Sequence, residues 1–398
     1  MTRTVRKNLL ACVFTLLAAA AFSFDFGIDL SNLAGGQYQG EWAWYTDHKS
    51  TAWVTVPFDA SGNTQLSAEG SLYAAKPAAS DGYTWFADLD LFRLKFTPLD
   101  GQTAKVSMSV GRIPQSDVTG FVLGQNIDGL ELHGVFGFGN LDFAVGYTGL
   151  LNTRKGGALM TDDDQADMTE HADEPYGFGS KRVIGKLTLQ IPQAIGSMDV
   201  LLEGTGEYDL RRYLESDYNS LADMVYGTVS LSTPLNPVAF GTLTGTWQSG
   251  IKESDGSKGS SNSLLASARV DLYPSSKNQL FGQFLFSPRQ NDYFDVFSPI
   301  SYQSLGTLYA RNFQNLMRAS AGWNFNPSAV FNLDFGGKVF MVAQTDDAYP
   351  DFYNGSELNA GATLKATSDL KFRLDSYFWV PSDGDFEMQA SLKAVFSF

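Results

Sequence analysis

The chain has 398 residues, with 28 Lys and Arg against 43 Asp and Glu, a formal charge of −15. No basic surface is there to compensate phosphate, so nucleic acid is excluded as a partner. Mean hydropathy is −0.13. Beyond the amino-terminal stretch no apolar run is long enough for a membrane helix, which excludes helical spans but not a barrel whose strands hide half their residues in a polar interior.

The chain opens with a basic cluster, Arg3, Arg6 and Lys7, followed by the apolar stretch Leu9 to Phe22 and by Ala21-Phe22-Ser23. That order predicts a signal peptide over 1–23, cut before Phe24. Cys12 is the only cysteine and sits at the start of the apolar stretch, which argues against lipidation. Its removal would leave no thiol or disulfide chemistry. Residues 24–36 read as a short periplasmic segment, too short for a plug, and 37–398 as a single barrel.

Period two dominates the rest of the chain. In 369–380, Leu370, Phe372, Leu374, Phe378 and Val380 alternate with Lys371, Arg373, Asp375, Tyr377 and Trp379. A strand sends successive side chains to opposite faces, so this strand has one oily and one wet face. The stretches 141–148, 198–208, 264–273, 357–366 and 386–398 behave alike. Parity breaks at Leu91-Phe92, where a β-bulge is expected.

Between strands, short turns near 59–63, 98–102, 139–140, 192–197, 233–237, 274–278, 326–328 and 367–369 alternate with other connections. The latter fall near 47–50, 76–82, 113–126, 151–180, 209–220, 248–261, 288–314, 344–355 and 382–384. Outer-membrane barrels have short periplasmic turns and longer external loops, and the count here is about 18 strands, or 16 if residues 37–58 form one. The expected fold is an all-β, transmembrane, antiparallel up-and-down barrel in a lipid bilayer. Aromatics at segment ends, among them Trp247, Tyr273, Trp323 with Phe325, Tyr377 with Trp379, and Phe396 with Phe398, suggest interfacial girdles.

The terminal Leu392-Lys393-Ala394-Val395-Phe396-Ser397-Phe398 resembles the last strand of Gram-negative porins and related outer-membrane proteins. The resemblance implies recognition of Phe396 and Phe398 by the barrel-assembly machinery. Val110-Gly111-Arg112 followed by Asp128-Gly129 resembles a porin layout in which a Gly-Arg closing one strand leads to an Asp-Gly opening the next. Phe22 to Gly27 is similar to the signal end of spirochaete secreted proteins.

Strand parity places Lys105, Glu131, His133, Asp142, Lys186, Asp199, Glu203, Glu207, Arg269, Asp271, Arg318, Asp334, Lys338, Glu357, Lys365, Lys371, Arg373, Asp375, Glu387 and Lys393 on the inner face. A cation at mid-bilayer costs about 2–4 kcal/mol, so charges this numerous imply a water-filled lumen. Acids gather at Asp142, Asp199, Glu203 and Glu207. Bases dominate the carboxy-terminal strands, so opposed walls would set a transverse field; internal salt bridges are an equal alternative. The 113–126 loop, with Asp117, Val118, Phe121, Val122 and Leu123, is too greasy for water and is the expected constriction. The 151–180 loop carries Asp162, Asp163, Asp164, Asp167, Glu170, Asp173 and Glu174 without EF-hand spacing, and reads as a solvated, mobile acidic loop. His48, His133 and His171 are the only histidines, and no nucleophile elbow, phosphate loop or zinc spacing accompanies them. The expectation is therefore a pore for small hydrophilic solutes or ions, neither an enzyme nor a carrier of cofactor or metal, with homo-oligomerisation open. A surface adhesin acting through its loops is the alternative.

Overall fold

The computed structural model describes residues 24–398, apart from 79, 81, 156, 157, 159, 172, 173, 215–217, 255, 292, 293, 302, 310–312 and 346–349. The expected signal peptide and Asp173 lie outside the described residues.

Eighteen strands account for nearly all of the regular structure. In order they are β1 (Asp25–Gln39), β2 (Trp42–Pro57), β3 (Thr64–Lys76), β4 (Thr84–Asp100), β5 (Ala104–Ser116), β6 (Gly124–Phe136), β7 (Gly139–Tyr147), β8 (Arg182–Ile195) and β9 (Met198–Asp209). There follow β10 (Ser220–Asn236), β11 (Ala239–Ser254), β12 (Ser257–Ser275), β13 (Asn278–Ser287), β14 (Leu316–Ser328), β15 (Phe331–Val342), β16 (Tyr353–Lys365), β17 (Leu370–Pro381) and β18 (Glu387–Ser397). Each pairs antiparallel with its sequence neighbours, and β1 pairs with β18 from Asp29↔Ser397 to Gln39↔Glu387. The sheet closes on itself, with one incomplete ladder between β4 and β5, so no strand is left as a free outer edge. Among the described residues two helices lie between strands: α1 (Asp162–Glu170) and the single turn α2 (Arg211–Leu214).

The alternation read from 369–380 is visible in exposure. In β17, Leu374 and Val380 are 51% and 45% exposed, whereas Trp379 is 8% exposed. Outward-facing Leu, Val, Phe and Trp make an apolar wall of the kind lipid requires. Tyr377 and Trp379 were expected at an interfacial girdle, but both point inward. Trp379 packs on Tyr309 and Phe340, with ring centroids 5.4 and 5.7 Å away.

Every connection at one end of the barrel is a short turn, as at the periplasmic end of outer-membrane barrels, whereas the other end mixes long loops with a few tight turns. Three expectations fail. Residues 24–36 do not precede the barrel, because β1 begins at Asp25. Within β1, Gly35 is the residue whose missing Cβ leaves room for Tyr45, since a Cβ there would lie 2.4 Å from the ring. Residues 47–50 are no loop but the interior of β2, and the β1–β2 connection is Gly40-Glu41. The 248–261 loop is a continuing ladder paired from Gln248↔Ser263 to Ser254↔Ser257. Small polar residues can go on pairing in water once the hairpin has started. The bulge is real and lies at Asp90, which is skipped between Glu69↔Leu91 and Gly70↔Leu89.

The lumen as candidate functional site

Register sets which side chains share the inner face. One row runs Ser107↔His133↔Asp142↔Thr188↔Glu203↔Thr228↔Thr246 across β5 to β11. A second runs Arg269↔Gln283↔Ser320↔Lys338↔Glu357↔Trp379↔Glu387 across β12 to β18. The acids Glu131, Asp142, Asp199, Glu203 and Glu207 therefore stand on β6, β7 and β9. Arg318, Lys338, Lys365, Lys371, Arg373 and Lys393 stand on β14 to β18, the opposite arc of an 18-stranded ring.

Much of this charge is paired. Arg269 grips Asp271 through two 2.7 Å bonds, Lys338 meets Glu357 at 2.7 Å, and Arg373 bridges Asp375 at 2.7 Å and Asp334 at 3.2 Å. His133 bonds Asp142 through Nδ1, and Lys105 meets Asp100 at 3.0 Å. Lys186 donates to the Ser116 carbonyl at 2.7 Å, Glu131 accepts from Gln115 at 2.8 Å, and Glu387 accepts from Gln39 at 2.8 Å. Asp199 accepts from the Gln193 N–H at 2.8 Å beside the β8–β9 turn. Lys365 faces Lys371, and Lys393 faces Arg373, across strand pairs. Lys365, Lys371 and Arg373 line a cavity of about 380 Å³ toward the periplasmic end, together with Asn324, Asn332 and Thr363. Like charges placed side by side hold a local positive potential there.

The outer half of the lumen is not simply wet. Three loops fold inward and meet in an apolar cluster that includes Val122, Leu123, Ile300, Phe313, Phe340 and Trp379. Asp117 shapes the 117–123 loop: its Oδ1 accepts from the N–H groups of Val122 and Leu123 at 2.9 and 2.8 Å, and its Oδ2 from the Thr119 N–H at 2.8 Å. The loop reaches the acidic wall, where Glu203 accepts from the Val118 N–H at 3.2 Å. It also crosses to the far side. The Val122 carbonyl accepts from the N–H groups of Ile300 and Ser301 at 2.9 and 3.2 Å. The guanidinium of Arg318, only 5% exposed on β14, lies 5.4 Å from the centre of the Phe121 ring and donates to the Leu305 carbonyl at 2.9 Å. Val122 and Leu123 are buried, while Val118 is 38% exposed.

The acidic loop departs from expectation. It contains the α1 helix, capped by Thr161, and Asp164 is buried rather than solvated. Asp164 meets Arg182 at 2.8 Å and Arg211 at 3.0 Å, while Arg182 also meets Glu207 at 2.6 Å and Asp209 at 2.9 Å. Buried charges persist only when paired and hydrogen-bonded. Among the described residues no group of three His, Cys, Asp or Glu could hold a metal ion. Other carboxylates clip the loops down. Burial pushes the Asp163 carboxyl up, but the N–H groups of Ser220 and Asn219 outweigh it and hold it low. Burial acts likewise on Asp295, and Lys252 at 3.0 Å, with Val296 N–H and Ser261, brings it below the usual range.

Arg112 and Asp128, noted in sequence only through a resemblance, form a two-pronged pair at 2.9 Å. They sit where the β4–β5 ladder stops at Phe92↔Arg112. Beyond that point the 148–181 loop fills the wall: Ala87 N–H donates to the Pro175 carbonyl at 2.9 Å, and Arg112 to the Leu150 carbonyl at 2.7 Å.

No protein-family model and no curated protein matches the chain, so the spirochaete likeness gains no support. Solved structures do match in fold. The outer membrane protein OpdK of Pseudomonas aeruginosa aligns at a TM-score of 0.61 and 10% identity, covering 94% of this chain and 98% of that one. OccK5 (OpdH) of the same organism gives 0.59 and 9%, with the same coverage. Its outer membrane protein OprD gives 0.55 and 12%, covering 94% and 93%. At such identities the likeness is one of architecture: a closed antiparallel barrel spanning nearly the whole chain.

Proposed function

We propose that this chain is a bacterial outer-membrane pore passing small hydrophilic solutes or ions through a charged lumen. The observation that carries this reading is the segregation of faces: ionisable residues line the inside in register while the outside is apolar. The inward loops narrow the passage. The contacts of Asp117, Phe121, Val122 and Leu123 support the 117–123 loop as the principal constriction, because it reaches both walls at once. The bases of β16 to β18, where Lys365 faces Lys371 and Lys393 faces Arg373, and the acids of β6 to β9 give the lumen a transverse field, which orients dipolar solutes. Its similarity in fold to OpdK and OprD, described as outer membrane proteins, fits the same location.

An adhesin reading draws no support from loops that turn inward, and among the described residues no nucleophile with a built oxyanion site supports a barrel enzyme. Removal of 1–23 as a signal, and recognition of Phe396 and Phe398 by the assembly machinery, complete the proposal. Purified protein added to planar bilayers is the test. Discrete ohmic steps are expected, and a silent bilayer containing correctly folded protein would refute the pore.

A further inference from the structure

The ladder between β4 and β5 stops at Phe92↔Arg112, although residues 84–91 and 113–116 of the two strands run on. Two side-chain amides take up β4 carbonyls in the gap: Asn126 Nδ2 donates to Asp90 at 2.7 Å, and Asn152 Nδ2 to Ala87 at 2.8 Å. Between the parted strands lies a recess of about 400 Å³, within the range of about 300–1,000 Å³ that holds small ligands. It sits at the foot of the constriction. Ser116 and Gly124, paired in register at the two ends of the 117–123 loop, both belong to its lining.

The lining is charged but balanced, with Asp88 and Asp90 against Arg112 and Lys155. Asp90 meets Lys49 at 3.1 Å, Arg112 meets Asp128 at 2.9 Å, and Lys155 Nζ lies over the Tyr73 ring, 4.0 Å from its centre. Asp88 and Gln125 differ from these. They are 9% and 8% exposed, yet Asp88 Oδ1 and Gln125 Nε2 have no hydrogen-bond partner among the described residues. The nearest cation to Asp88 Oδ1 is Arg112 Nη1 at 3.7 Å, beyond hydrogen-bond reach. Ser301 gives its hydroxyl to Gln125 Oε1 at 3.0 Å, which leaves Nε2 as the open end. A buried acceptor and a buried donor left open are costly, so a ligand that meets both is favoured.

Their chemistry selects the solute. A hydroxyl donates to a carboxylate and accepts from an amide through one oxygen. An ammonium cannot accept from Gln125, and a carboxylate cannot donate to Asp88. A zwitterion would bring three ammonium donors and two carboxylate oxygens to one open acceptor and one open donor, leaving its charges poorly satisfied. Leu151, buried at the recess, offers apolar contact to a carbon skeleton. We infer that this recess is a binding site for a neutral polyhydroxylated solute, a sugar or polyol, held at the foot of the constriction. The inference rests on the proposed pore, since it names the kind of solute that halts in the passage.

Saturation-transfer NMR with glucose on the detergent-purified protein tests the site. A saturable signal is expected, displaced by mannitol but not by triethylene glycol, arginine or succinate. It should be about tenfold weaker or more in Gln125→Leu, which removes the open donor, and in Ser116→Trp, which fills the recess from an exposed position. Heat-modifiable gel migration checks that both variants fold. A signal that does not saturate, that survives in Ser116→Trp, or that arginine or succinate displaces better than mannitol overturns the inference. Binding is read without current, so a silent bilayer would count against the pore and a missing glucose signal against the site.

Discussion

Arg112 shows how one residue can hold a wall that hydrogen-bond ladders have abandoned. Its guanidinium donates to Asp128, to the Leu89 and Leu150 carbonyls and to the Tyr176 hydroxyl, all within 3.1 Å. Gly111 beside it has φ +122°, and a Cβ there would lie 2.0 Å from the Phe92 carbonyl oxygen, so the turn of the chain that aims Arg112 needs glycine. Removing one partner of a buried pair strands the other. Arg112→Ala should cost about 3–5 kcal/mol, read as a lower urea midpoint for unfolding in detergent. Asp128→Asn should cost less, because a polar acceptor remains. The pair was visible in sequence only as two dipeptides. The covering Leu150 and Tyr176 arrive from a loop whose path no local pattern encodes. The same holds for Arg182 and Arg211, which periodicity cannot distinguish from exposed arginines at strand ends.

At the scale of elements, the 117–123 loop is held by its own aspartate. Asp117→Ala would release four loop donors to Asp117, counting the Thr119 hydroxyl, and should raise single-channel conductance and current noise. Unchanged conductance would place the constriction elsewhere. The other loops respond to acid. Asp163 and Asp295 titrate below the unfolded carboxylate value, so their contribution is present above that value and lost as pH falls through the depressed one. Lowering pH below the ordinary carboxylate range, near 4, should therefore free the α1 and 288–315 loops and make channels flicker. Asp295→Asn should show part of that behaviour at neutral pH. Alternation made the strands legible, because lipid and water select opposite side chains at every second residue. It failed where composition mimicked a turn. Asp47-His48-Lys49-Ser50 is polar on both faces of β2, and so read as a loop. Residues 24–36 read as a segment before the barrel, because the sequence does not show that Gly35 leaves room for Tyr45 within a strand.

For the molecule as a whole, inside and outside are set by parity, and charge is set by arc. The inner face of β14 to β18 carries bases whose partners are too few, and β6 to β9 carry the acids. Neutralising Arg318, Lys371 and Arg373 together should shift the reversal potential under a salt gradient toward cation preference, and no shift would mean the lumen field does not govern passage. The central claim is that Lys371 and Leu374, close neighbours on β17, stand on opposite sides of a wall between water and lipid. It is tested by substituting each with cysteine and adding a charged thiol reagent to open channels. Lys371→Cys should show a stepwise change in conductance on modification, while Leu374→Cys and the unsubstituted protein show none. A response at Leu374→Cys equal to that at Lys371→Cys would contradict the account.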